Sequence, residues 1–324
     1  MRSTMNLKVL RLQLFYGLTV LCIIATIRCQ SSAEVQRTET EKTNLATRVE
    51  HFYLVSNQSQ RLFIFFRDNF QLPEVWPFYQ HETFASGGLS LGNVVLEFVS
   101  LPKEDPNPWK TEFRGVALEP TMDAIATSAE LSERNLSHTE IQSYKSLVPG
   151  SQVVAEWSSI GLSNLPPENA DIFFCDYNDR ERVEKGRKEA RSELARQGGG
   201  ALGIIDAAEI IVGVKNIKEA RRKWSALLSP SPRISNDAFL FNTGPAIRLV
   251  QTKSPGIKGI ILRVNSLDYA VRFLDEHGWL SKDKNGQINI SPDVIGGLSI
   301  KLVEVSVGDK ETLHEKSNEF LADR

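Results

Sequence analysis

With 324 residues, 41% of them hydrophobic and 24% charged, the chain has the composition of a soluble globular protein with room for two domains of ordinary size. Its formal net charge of -2 supplies no general basic surface for phosphate recognition, so nucleic acid is set aside as a partner and small molecules or proteins remain.

Arg2, Lys8 and Arg11 make a basic start, and Leu14 to Ile27 form a 14-residue apolar stretch interrupted only by Gly17, Thr19 and Thr26. That is the length of a secretory h-region and short of the roughly 20 residues a membrane span needs. Ser31, Ser32 and Ala33 offer small residues for cleavage after Ala33, so residues 1–33 are expected to be a signal peptide directing the protein to the periplasm or outside the cell. An uncleaved N-terminal membrane anchor is the alternative. Cys22 and Cys29 fall in the leader and Cys175 stands alone in the body, which therefore relies on core packing rather than on a disulfide. Residues 34–47 are polar and aperiodic and read as a flexible linker.

From His51 onward a strand followed by a helix occurs four times, starting at His51, Gly115, Glu209 and Gly259. Each copy has a short apolar strand, a turn and then apolar residues at helical spacing. Leu62, Phe65, Phe66 and Phe70 give the first helix one aromatic face, and Ala220, Trp224, Leu227 and Leu228 give the third an apolar face, so each helix covers a sheet from one side. Short strands follow the helices, as in NVVLEFVSL and DIFFCDY, and Gly87 and Gly88 are expected at a turn or bulge. Between the second and third copies, DRERVEKGRKEARSELARQGGG alternates charge and ends in three glycines, the pattern of a solvated connector over 179–204. Residues 307–324 form a polar tail.

The order of strand, helix and further strands in paired copies resembles the vicinal oxygen chelate superfamily of glyoxalases, bleomycin-resistance proteins and extradiol dioxygenases. The likeness is carried by Glu50-His51, by FQLPEVWPF at 70–78, FASGGLSLGNVVLEFV at 84–99 and GVALEPT at 115–121, and by FFCDY at 173–177 and GGALGI at 199–204. It implies an α+β fold of tandem paired βαβββ modules, with curved mixed sheets and helices on their outer side. The implied domains are glyoxalase-like and run over 48–178 and 205–306, the second degenerate. In that superfamily each pair of modules closes a cup around a divalent metal held by first and last strands. His51 and Glu97 match two ligand positions, Gly115 offers no side chain at a third, and Asp176 is the acidic residue available on the last strand. In the second half Glu209 stands with Arg248, Gly259 and Lys301, a set unsuited to a cation.

Glu97 within an apolar strand needs a partner, and His51 or a metal would each satisfy it. The pair also suits metal-free chemistry, with Glu97 as general base and His51 as its partner. Cys175 beside Asp176 reads as a buried structural thiol. The implied function is that of an exported glyoxalase-like enzyme, of lyase, isomerase or hydrolase type, acting on a small oxygenated organic molecule. The alternative is a non-catalytic module that binds such a molecule, and the chain is expected as a monomer or homodimer.

Overall fold

The computed structural model describes residues 44–101, 111–147, 150, 154–230, 233–235 and 237–305. The segment expected to be a leader (1–33), most of the expected linker and the tail fall outside these residues. The described residues from Asn44 to Val305 belong to one compact unit.

Two eight-stranded mixed sheets of identical topology are built from four βαβββ modules, an α+β arrangement. The first module comprises β1 (Ala46–Ser56), α1 (Ser59–Asn69), β2 (Glu74–Gln80), β3 (Ala85–Ser90) and β4 (Val95–Ser100). The second comprises β5 (Thr111–Pro120), α2 (Ala124–Glu133), β6 (Gln142–Leu147), β7 (Val154–Gly161) and β8 (Asp171–Tyr177). Strands β1 and β5 pair antiparallel at the centre, each flanked by the parallel last strand of its own module, in the order β2-β3-β4-β1-β5-β8-β7-β6. Helix α3 (Arg180–Arg196) leads to the second sheet. There β9 (Ile204–Val214), α4 (Ile217–Leu228), β10 (Arg233–Ser235), β11 (Ala238–Leu240) and β12 (Ala246–Gln251) make the third module. The fourth consists of β13 (Gly256–Val264), α5 (Leu267–Glu276), β14 (Leu280–Lys282), β15 (Ile288–Ile290) and β16 (Ile300–Glu304), and the strand order repeats that of the first sheet.

Local chemistry explains the helix starts. Asp123, Asp179, Asn216 and Ser266 stand at the N-caps of α2, α3, α4 and α5, and each side chain accepts a hydrogen bond from a backbone N–H of the first turn. Packing then selects the faces. Phe52, Leu54, Leu96 and Phe98 point from the sheet toward Leu62, Phe63 and Phe66 of α1 and are buried with them. Alternate residues of the same strands, His51, Tyr53 and Glu97, therefore face the concave side. Gly87 and Gly88 are not turn residues but lie inside β3. A Cβ at Gly88 would meet the Trp76 ring at 2.6 Å, and one at Gly87 would meet the Phe63 ring and the Phe78 backbone Cα at 2.8 Å, so close approach at the strand favours glycine at both.

The two sheets are stitched by specific contacts. Asn93, in the β3–β4 turn, donates from Nδ2 to the Ala207 carbonyl at 2.9 Å and accepts from the Ala207 N–H at 3.0 Å, acting as an extra strand residue beside β9. Phe65 and Phe70 make edge contacts with Trp279, and the Trp224 indole N–H donates to the Pro166 carbonyl at 2.7 Å. At the end of α3, Gly199 and Gly200 have φ of 89° and 65°, and a Cβ on Gly200 would lie 2.3 Å from the Phe70 carbonyl oxygen. The glycines thus serve a close approach as well as a break in the helix.

Asn93→Ala should lower the unfolding free energy by about 1–3 kcal/mol, because it leaves a backbone N–H and C=O of β9 without partners. Urea unfolding measures this, and a loss below about 0.5 kcal/mol would show that the Asn93 contacts do not stitch the sheets.

Candidate active site

The concave face of the first sheet owes its chemistry to a bulge. Across the β1–β5 pair, Val49 lies opposite Leu118 and His51 opposite Ala117, so Glu50 is an extra residue in β1. Two consecutive side chains, Glu50 and His51, consequently reach the same polar cluster, while Val49 and Phe52 on either side go to the core. The Glu50 side chain is 1% exposed and that of His51 is 7% exposed.

Every polar atom of this pair has a partner. Glu50 Oε2 contacts His51 Nδ1, Glu50 Oε1 takes a charge-assisted hydrogen bond from Arg187, and the Tyr177 hydroxyl lies 3.4 Å from Glu50 Oε2. His51 Nε2 is 3.4 Å from Glu97 Oε2. With Nδ1–H directed to Glu50, the Nε2 lone pair faces Glu97, an assignment that follows from the hydrogen-bond pattern. Burial, reinforced by the charge of Arg187, pushes the His51 imidazole down to about 3 and keeps it neutral. Burial also raises the Glu97 carboxyl to about 7, opposed by a hydrogen bond from Ser86. Cys175, across the cup on β8, is pushed up to about 12 by burial and is a thiol rather than a nucleophilic thiolate at neutral pH.

Arg187 comes from α3, which the sequence reading takes for a solvated connector. Instead the helix lies against β8 at one end and against β2 and β3 further along, and so crosses the concave face. Val183, Arg187, Ala190 and Leu194 form one stripe at helical spacing, with Ala190 and Leu194 buried. Arg187 binds Glu50, lies 2.8 Å from Glu119 and 3.6 Å from Glu184, and sits 5.8 Å from the Tyr177 ring centroid. Arg48 completes the ring through Glu119, at 2.9 Å, and Glu184. A cavity of about 380 Å³ opens beside this ring, lined among others by Arg48, Glu119, Cys175, Tyr177, Arg187 and Thr243.

The structure brings His51 and Glu97 together but not Asp176. That residue follows Cys175 on β8 and so faces the helix side, where its carboxylate accepts from the Ala124 N–H at 2.8 Å at the start of α2 and pairs with Arg180 at 2.6 Å. Strand alternation is the reason Asp176 cannot join a set on the concave face. Gly115 lies opposite Tyr53, whose ring fills the space a side chain would take, since a Cβ there would be 2.1 Å from a ring carbon.

Among the described residues, Glu50, His51 and Cys175 form a group whose donor atoms lie within 4.8 Å of one another, a potential metal-ligating triad. A divalent ion nevertheless does not fit the cup as it stands. Glu50 is already engaged by His51 and by a guanidinium, and the Arg187 charge opposes a second cation. Glu50, Arg187 and Ser86 were not legible as site residues in the sequence. At the rim, the His81 ring lies between Ser86 at 3.1 Å and Ser146 at 2.9 Å. A partial signal was available for Arg187 in the apolar stripe of α3.

The second sheet repeats the geometry with other residues. Ala207 lies opposite Leu262 and Glu209 opposite Ile261, so Ala208 is the bulged residue and Glu209 stands where His51 stands. Arg248 is in register with Ile211 as Glu97 is with Tyr53. Arg248 Nε donates to Glu209 Oε2 at 2.6 Å, with a second bond between the same groups, so an ion pair replaces the His–Glu pair. Lys301 is 3.7 Å from Asp283.

No protein-family model matches the chain and no curated protein is significantly similar to it. Solved structures do resemble it. A hypothetical protein from Staphylococcus aureus superposes with a TM-score of 0.55 at 12% identity, over 80% of this chain and 99% of that one. Homoprotocatechuate 2,3-dioxygenase from Arthrobacter globiformis superposes with a TM-score of 0.51 at 12% identity, over 84% of each chain. The fold is therefore of the vicinal-oxygen-chelate type, and at such identity the likeness concerns the fold alone.

Because the folded state holds a proton on Glu97 up to about pH 7 while an unfolded carboxyl releases it near 4.5, stability from this group is full below about 4.5 and is lost as pH rises through 7. His51 acts oppositely, its contribution being lost as pH falls from about 6.5 toward 3. Comparing wild type with Glu97→Gln isolates the carboxyl. The stability of wild type relative to the variant should fall by on the order of 1–3 kcal/mol between pH 5 and 8 in urea melts, and a flat difference would place the Glu97 pKa near its ordinary value.

Proposed function

We propose that the protein is an exported, glyoxalase-like enzyme that acts on a small oxygenated organic molecule by proton transfer in the first cup, in a lyase- or isomerase-type reaction. The observation that carries this reading is the Glu97–His51 pair on the concave face, 3.4 Å apart and enclosed by the sheet and α3. In its ionised form Glu97 takes a proton from a carbon next to a carbonyl. The neutral His51, oriented by Glu50, accepts a hydrogen bond from the resulting carboxylic acid through Nε2 and holds that proton until it is returned. A carboxyl raised to about 7 is matched to such shuttling at neutral pH. A cavity of about 380 Å³ lies on the Arg187 side of the cup, lined by Cys175 and Tyr177 rather than by His51 or Glu97. In this reading residues 48–178 and 205–306 are tandem glyoxalase-like domains, and the Glu209–Arg248 pair leaves the second cup without a proton-transfer group. Export rests on the leader at 1–33.

A second reading, a non-catalytic binding module, is favoured by one observation: the Arg187 ion pairs span the very face that a substrate would use.

A panel of small hydroxycarbonyl and vicinal diol compounds, followed by NMR for both binding and turnover, separates the readings. The enzyme reading expects a compound that is turned over by wild type and still bound by Glu97→Gln, with the rate reduced by about 10²–10⁴. Compounds that bind and are never converted would leave the binding module in its place.

A further inference from the structure

A group that exchanges protons inside a cup needs a route by which they reach water, and the side chains beside Glu97 form a continuous one. Gly88 lies directly opposite Glu97 across the β3–β4 pair and has no side chain, so the next residue of β3 on that face, Ser86, is the one whose hydroxyl meets the carboxyl. Ser86 is 1% exposed. Its Oγ lies 3.1 Å from Nε2 of His81, just after β2, and the indole N–H of Trp76 donates to it at 3.4 Å. On the other side of the ring, His81 Nδ1 is 2.9 Å from Oγ of Ser146. His81 and Ser146 are half-buried, and Ser146 stands on the edge strand β6 between the exposed Lys145 and Leu147. The run from Glu97 through Ser86 and His81 therefore begins in the cup and ends at the surface.

Each link suits a proton that travels in both directions. A hydroxyl both donates and accepts, and an imidazole takes a proton on one nitrogen while giving one up from the other. With Glu97 ionised, Ser86 donates its O–H to the carboxylate and accepts from the N–H groups of His81 and Trp76, which uses the hydroxyl completely. With Glu97 protonated, the acid donates to Ser86 Oγ and Ser86 donates to the bare Nε2 of His81. The two patterns interconvert without any group turning over. A proton bound at His81 Nδ1 from the solvent side moves the Nε2 proton to Ser86 and the Ser86 proton to Glu97. The carboxylate gains one proton, and His81 and Ser86 each end with the number they began with. Burial pushes His81 down to about 4, below the value of about 7 for Glu97, so a proton on the ring passes on to the carboxylate.

We propose that Ser86 and His81 are the proton relay of the first cup, linking Glu97 to solvent at the rim beside Ser146. The relay rests on the reading of Glu97 as the group that takes a proton from the substrate, and it specifies the fate of that proton, which is traded with water rather than confined to the cup. His81 is a positioning residue that acts through Ser86. Its ring also joins the two ends of the strand order, since it follows β2 and meets Ser146 on β6. A tie between sheet edges affects stability alone, whereas a relay sets the rate at which Glu97 gains and loses its proton.

The test follows Glu97 itself by NMR, in full-length protein carrying ¹³C in its glutamate carboxyls, with the Glu97 signal identified by its loss in Glu97→Gln. The rate of exchange between the protonated and ionised forms is read by relaxation dispersion at the midpoint of the Glu97 titration, without substrate and over a range of inorganic phosphate concentrations. Wild type should exchange faster as phosphate rises, since the buffer reaches the half-buried ring of His81 and not the carboxyl. His81→Phe, which fills the same space without a nitrogen, should exchange at least about 10-fold more slowly and ignore phosphate. Near-ultraviolet circular dichroism establishes that the variant is folded. A folded His81→Phe that exchanges as fast as wild type would overturn the relay, and so would a phosphate dependence that survives the substitution. Should His81→Phe fail to fold, Ser86→Ala, which breaks the run one link earlier, decides on the same terms. Because no substrate is present, these outcomes stand apart from the turnover panel: the relay can fail while Glu97 proves to be the base, and can hold while no compound is converted.

Discussion

A buried carboxylate must find a counter-charge, and Glu50 finds it in Arg187, on a helix that lies outside both sheets. Much of the first cup follows from that pair. It brings α3 across the concave face, it lowers the tendency of His51 to take up a proton, and with Arg48, Glu119 and Glu184 it closes one end of the cup with a ring of alternating charges. Glu97, buried and met by His51 and Ser86, keeps its proton to about pH 7 because burial disfavours its charged form. Two carboxyls on one face thus have different surroundings, Glu50 against a guanidinium and Glu97 against neutral groups.

The two sheets show how far geometry and chemistry are separable in this fold. Strand order, the parallel pairing of first and last strands, and the bulge beside the first-strand site position recur in both. The side chains placed there do not. His51 and Glu97 in one cup become Glu209 and Arg248 in the other, and a pair that can pass a proton becomes a bidentate ion pair with none to spare. The backbone framework sets where a side chain points, and the residue type alone sets what it does there.

The α+β fold was legible in the sequence because period and punctuation agreed: four strand-helix units, apolar faces on the helices, and glycines where α3 ends. His51 and Glu97 were placed by the resemblance, and Glu97 also stands out as an acidic residue within an apolar strand. Other features were hidden by specific physical causes. The bulge at Glu50 adds one residue without changing composition, so no periodicity argument could reveal that Glu50 and His51 share a site. Asp176 was assigned to the cup for its chemistry, although its place next to Cys175 puts it on the opposite face, where it pairs with the start of α2. The charges of α3 suggested a helix surrounded by water, whereas Arg187 lies on the same stripe as Ala190 and Leu194 and is carried inward with them.

The dependence of the cup on the pairing of Arg187 with Glu50 is tested most directly by a double-mutant cycle, measuring the unfolding free energies of wild type, Arg187→Met, Glu50→Gln and the double variant in urea. A pair buried to this degree should give a coupling energy on the order of 2–3 kcal/mol, with either single variant less stable than the double variant would suggest by additivity. A coupling below about 0.5 kcal/mol, the level of an exposed surface pair, would contradict a cup organised around this interaction.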